Sequence, residues 1–173
     1  MKQILVVVDM QNDFIDGVLG TAQAQGIVDR VVRKIRQYPA DAVIATQDTH
    51  QKDYLQTREG KYLPVEHCIQ GTWGWELQKE VADALSGAVI LEKPTFGTLQ
   101  IAETVKKLAE GEADLRVEVV GLCTDICVVS NALLLKTLLP DAVVRVDASC
   151  CAGVTQESHQ AALLTMKMCQ IEV

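Results

Sequence analysis

Reactive side chains recur just beyond the apolar runs of this sequence. Asp9 follows Ile4–Val8, Asp48 and His50 follow Ala42–Ala45, Lys93 follows Ala88–Leu91, and Cys127 lies shortly after Val117–Val120. A thiol, a carboxylate and an ammonium together form a set suited to acyl transfer. The thiol attacks a carbonyl, the carboxylate takes the thiol proton and hands it to the leaving group, and the ammonium holds both anions in register. Cys127 begins an apolar segment with helical spacing, and Thr124 or Asp125 is placed to cap it. That puts Cys127 in a first helical turn, where the helix dipole favours thiolate. The backbone N–H groups of Gly121–Thr124 and of Cys127 can face a developing oxyanion. His159 sits in the last helical segment and reads as structural.

A second constellation is Asp48-Thr49-His50, with His67 seventeen residues beyond His50. One carboxylate and two imidazoles suit zinc, iron or manganese with positions left open for water or substrate. Both histidines fall in the polar stretch from Gln47 to Gly74. A stretch of that length inside a compact domain is usually functional.

The elements that must position these groups alternate regularly. Ile4–Val8 is continuous and apolar, as for a strand buried on both faces. Ile27, Val28, Val31, Val32 and Ile35 mark one helical face. Strands are expected at Ala42–Ala45, Ala88–Leu91, Val117–Val120 and Ala142–Val146, and Gln170–Val173 could add a short sixth. Helices are expected at Trp75–Leu85, Leu99–Leu108, Asp125–Leu139 and Thr155–Met168, the last capped by Thr155. The reading is one α/β domain over residues 1–173, a three-layer sandwich around a mostly parallel, Rossmann-like sheet of five or six strands. In such sheets ligands bind beyond the carboxyl ends of the strands, where every reactive group named above falls.

The 173 residues carry a formal net charge of -7, which disfavours nucleic acid and anionic membrane as partners. No apolar run reaches the ~18 residues of a spanning helix. The N-terminal run lacks a signal peptide's cleavage site, so a cytoplasmic location is expected. The six cysteines (Cys68, Cys123, Cys127, Cys150, Cys151 and Cys169) then read as thiols rather than a disulfide framework.

These segments, taken together, resemble the isochorismatase-like cysteine hydrolases. Asp9-Met10-Gln11-Asn12-Asp13-Phe14 resembles their DxQxDF opening, and Gly121-Leu122-Cys123-Thr124-Asp125-Ile126-Cys127-Val128 their nucleophile turn. Glu92-Lys93-Pro94 resembles the lysine motif, and Asp147 with Ala152-Gly153-Val154 the final strand and turn. Thr46–His50 and Glu66–Thr72 are similar to the metal-site segments of the nicotinamidase branch. The resemblance covers the whole chain, with the motifs in the family's order.

It implies a catalytic set of Asp9, Lys93 and Cys127, an oxyanion hole from the backbone N–H groups of Cys123 and Cys127, and a cis peptide at Leu122-Cys123. It implies one divalent metal ion on Asp48, His50 and His67, zinc before iron or manganese, and a homo-oligomer joined through helical faces. Phe14, Leu19, Phe96 and Ile126 would form an apolar pocket for a flat ring. Pro64 and Ile126 stand where many nicotinamidases carry ring side chains. These two departures weigh against stacking on a ring, and nicotinamide stays the leading small-molecule substrate only modestly ahead of another small amide or ureido compound. Isochorismate is disfavoured, because its ether cleavage needs no nucleophilic thiol. A non-catalytic binding member is the competing class.

Overall fold

Alternation along the first strand decides the layering. In the computed structural model, which describes residues 1–173, β1 (Lys2–Val8) turns Ile4, Val6 and Val8 to one face and Leu5 and Val7 to the other. All five side chains are fully buried. An apolar strand of this kind is stable only if helices cover both faces, and they do. On one face lie α2 (Ala22–Ile35) and α4 (Lys79–Ala84), through Ile27, Val31, Ile35 and Val81. On the other lie α5 (Gln100–Ala109), α6 (Val129–Leu138) and α7 (Gln156–Met168), through Ile101, Val105, Leu135 and Met166.

The sheet is completed by β2 (Val43–Asp48), β3 (Val89–Lys93), β4 (Leu115–Leu122) and β5 (Val143–Ala152). Its order is β3-β2-β1-β4-β5, with every pairing parallel. The chain winds outwards from β1 to β3 and then returns to the other side of β1. The switch in winding falls between β1 and β4, and a crevice opens beyond their carboxyl ends. Val8 pairs with Gly121 at that point. Gly121 has φ +119, and a Cβ there would overlap the Val8 backbone, so only glycine permits this approach.

Four expectations need correction. The Gln170–Val173 segment makes only an isolated bridge, Arg145 to Glu172, so the sheet has five strands. The helix expected at Trp75–Leu85 begins at Lys79, because the Trp75 carbonyl accepts the side-chain amides of Gln11 and Gln47 and Gln78 caps the turn. The segment expected as helix from Asp125 opens with a π turn, Thr124–Val128, before α6. Neither Thr124 nor Asp125 caps it. The Thr124 hydroxyl lies 2.8 Å from His159 Nδ1, and Asp125 accepts from Val154 N–H and the Ser158 hydroxyl. The long polar segment is itself structured, carrying a 3-10 turn at Tyr54–Gln56 and the short helix α3 (Arg58–Tyr62), while α1 (Asn12–Ile15) meets its far end through Asp13 N–H on the Gly74 carbonyl.

Candidate active site

Lys93 is the last residue of β3 and is fully buried. Its Nζ lies 2.7 Å from Asp9 Oδ2, 3.5 Å from Cys127 Sγ and 3.5 Å from Asp48 Oδ1, and it donates to the Thr95 carbonyl at 3.0 Å. Burial works against its charge, but the neighbouring carboxylates, Asp9 first and then Asp48, outweigh burial and keep the ammonium protonated. One cation thus touches both candidate catalytic groups and the nearest metal-type donor.

Asp9 immediately follows β1, with φ +46, in the left-handed region that Asp tolerates better than most residues. Its Oδ1 accepts from the Thr46 hydroxyl at 2.7 Å, which fixes the carboxylate beside Lys93. Burial raises the Asp9 pKa and the neighbouring Lys93 opposes that rise. A carboxylate raised in this way is a better proton acceptor at neutral pH than a solvated one.

Burial first, and then the Asp9 charge, push the Cys127 thiol well above its usual range, with Lys93 pulling the other way. Burial thus works against the thiolate that a helix start favours. It favours the neutral thiol, and Asp9 is the carboxylate that raises it further. Asn131 steadies the arrangement, donating from Nδ2 to the carbonyls of Cys127 (2.9 Å) and Phe96 (3.2 Å) and accepting the Thr98 N–H. The Leu122-Cys123 peptide is cis.

Asp48, His50 and His67 converge beside this set, with one ligand atom from each lying within 4.8 Å of the others. Asp48 Oδ2 is 3.0 Å from His50 Nε2 and 3.7 Å from His67 Nε2. His67 Nδ1 lies 2.8 Å from the Val65 carbonyl, which can only accept, so Nδ1 carries a proton and Nε2 is the nitrogen turned towards Asp48. His50 Nε2 is buried and makes no hydrogen bond, although Asp48 Oδ2 lies 3.0 Å away. A buried imidazole nitrogen without a partner, facing a carboxylate and a second imidazole, fits a divalent cation.

Two groups of contacts here went unread in the sequence. Glu59, on α3, places Oε1 3.7 Å from His50 Nε2 and 3.8 Å from His67 Nε2. Gln11 clamps Asp48 by donating to its carbonyl and accepting its N–H, each at 2.8 Å, and Asp13 Oδ2 accepts the Cys68 N–H next to His67. The opening motif therefore does two tasks, supplying Asp9 and bracing both metal-site segments. Its spacing, with Gln and Asp two and four residues after Asp9, was the available signal. Glu59 had none, because its approach depends on how the long segment folds.

A cavity of about 590 Å³ opens over these groups. Cys127, Asp48 and His67 lie in its wall, as do the four residues expected to hold a flat ring, Phe14, Leu19, Phe96 and Ile126. No lysine or arginine lines it.

Residues 3–173 match the isochorismatase domain family. The nicotinamidase/pyrazinamidase of Mycobacterium tuberculosis is 29% identical over 190 residues, covering 98% of this chain and 96% of that protein. Among solved structures, the nicotinamidase/pyrazinamidase of Bacillus subtilis aligns with a TM-score of 0.84 at 25% identity, over 100% of this chain and 99% of that one. The Pyrococcus horikoshii pyrazinamidase, solved in complex with zinc, aligns with a TM-score of 0.80 at 26% identity over 99% and 98%. With nearly the entire chain matched by the family model, this protein belongs to the isochorismatase domain family.

Proposed function

We propose that this chain is a cysteine amidohydrolase of small aromatic carboxamides, with nicotinamide as substrate and nicotinate and ammonia as products. The observation that carries the reading is the buried contact of Lys93 with both Asp9 and Cys127 at the inner end of an apolar cavity. Its relatives support the choice of bond, because they are named nicotinamidases and pyrazinamidases.

In the first half-reaction Cys127 Sγ attacks the amide carbonyl carbon and its proton passes to Asp9. The backbone N–H groups of Cys123 and Cys127 receive the oxyanion. The C–N bond breaks, Asp9 returns the proton to nitrogen, and ammonia leaves a thioester on Cys127. Water then attacks the thioester and gives a proton to Asp9. The C–S bond breaks, the acid departs, and Asp9 reprotonates the Cys127 sulfur. Lys93 stays protonated throughout and holds the carboxylate against the sulfur.

Asp48, His50 and His67 would hold one divalent ion, zinc by analogy with the horikoshii structure, and Glu59 faces the same gap. When bound, the ion offers an electrophilic contact, direct or through water, for a ring nitrogen of the substrate.

A panel of three amides tests the reading. Nicotinamide and pyrazinamide are expected to release ammonia faster than benzamide by on the order of a hundredfold or more, because benzamide lacks the ring nitrogen that the site is built to meet. If all three are inert while an aliphatic amide or ureido compound turns over, the chain is a cysteine hydrolase of another substrate.

A further inference from the structure

The geometry points to a wider substrate range than a single ring: the site takes aryl carboxamides that carry an apolar group on the ring edge opposite the reacting carboxamide and ring nitrogen, and Tyr62, Phe96 and Val154 receive that group. This rests on the amidohydrolase reading and extends it outwards from the reacting atoms.

The cavity has a closed end and an open end. Cys127, at 5% exposure, and the buried Asp48 and His67 mark the closed end. Tyr62 at 94%, Val154 at 55% and Phe96 at 48% line the same cavity and mark its mouth. A ring with its carboxamide on Cys127 and its nitrogen towards Asp48 and His67 turns its C5 edge away from both, and so towards the mouth. The cavity, at about 590 Å³, falls within the ~300–1,000 Å³ range of sites for drug-sized ligands, and one six-membered ring leaves the outer part unfilled.

The mouth is built rather than frayed. Tyr62 ends α3, whose first turn is capped by the Thr57 hydroxyl at Gly60 N–H and whose last turn is closed by Leu63 N–H on the Glu59 carbonyl at 2.7 Å. The same helix carries Glu59 inwards to the two imidazoles, so the outer tyrosine is held in register with the inner site. Val154 is fixed from the other side, its N–H donating to Asp125 at 3.0 and 3.2 Å. Phe96 is held through its carbonyl by Asn131. Three apolar side chains kept exposed on pinned backbone around a reactive cavity have the character of a ligand contact. With no lysine or arginine in the lining and Glu59 and Asp125 among its residues, an anionic extension is excluded, and a neutral apolar group suits the three side chains at the mouth. Binding gained there, remote from the reacting bond, can be spent at the carbonyl.

The test compares kcat/KM for 5-phenylnicotinamide and nicotinamide, in wild type and in a Tyr62→Ala, Val154→Ser double variant whose folding is checked by circular dichroism. The wild type is expected to process the extended amide at least as efficiently as nicotinamide. The ratio of the two should fall about tenfold in the double variant. A wild-type ratio below one, or a ratio unmoved in a folded double variant, overturns the inference and leaves the amidohydrolase reading standing if nicotinamide is hydrolysed. Failure of both amides would remove that reading and this inference together.

Discussion

Replacing Cys127 with alanine is expected to cost on the order of 10⁵-fold or more in turnover while the protein still folds. The magnitude follows from the role: without the sulfur there is no covalent route, and members of a nucleophile–base pair fail together rather than additively. Folding survives because alanine fits where cysteine fits, and the 2.7 Å Lys93–Asp9 pair needs no third partner. Circular dichroism and cooperative thermal unfolding check the second part, and ammonia release checks the first. Cys150→Ser is the matched control. Cys150 is equally buried but belongs to the core cluster shared with α2, not to the cavity lining, so most activity should remain. Full activity in the Cys127→Ala protein would end the cysteine-hydrolase reading.

The second large effect is on metal content. Protein purified without chelator should contain about one divalent transition metal per chain by elemental analysis, and the His50→Ala, His67→Ala double variant should contain almost none. Three ligands from one short stretch and one loop residue form the set, and removing two leaves only the Asp48 carboxylate and the more distant Glu59. Nicotinamide hydrolysis should fall at least ~100-fold in parallel, a loss as large as the strongest seen when only a supporting residue around a metal is removed. Equal metal in wild type and variant would refute the ligand assignment without touching the roles of Asp9, Lys93 and Cys127.

Much of this arrangement could be read from the residues alone, for a definite reason. Asp9, Asp48, Lys93 and Cys127 lie at or just beyond the ends of parallel strands, and strand ends of a buried sheet are marked in sequence by where the Val and Ile runs stop. The four pocket residues also share one cavity, because they flank those same strand ends. What resisted reading depends on contacts across the long polar segment. Glu59 approaches the histidines only because Thr57 starts a five-residue helix there, and no period in the sequence announces so short an element. The π turn at Thr124–Val128 escaped because its capping hydroxyl and carboxylate are engaged by His159, Val154 and Ser158, residues distant in the chain. The upward push on the Cys127 thiol escaped for the same kind of reason. The dipole of a local helix was legible, but complete burial beside Asp9 was not, and burial dominates.

The thioester is the central claim, and partitioning tests it most directly. Nicotinamide and methyl nicotinate are each turned over in the presence of hydroxylamine, and the ratio of nicotinohydroxamate to nicotinate is measured. If both substrates pass through one acyl group on Cys127, the ratio must be the same for the amide and the ester at every hydroxylamine concentration. If nicotinamide yields only nicotinate while the ester yields hydroxamate, water attacks the amide directly and the covalent mechanism is wrong.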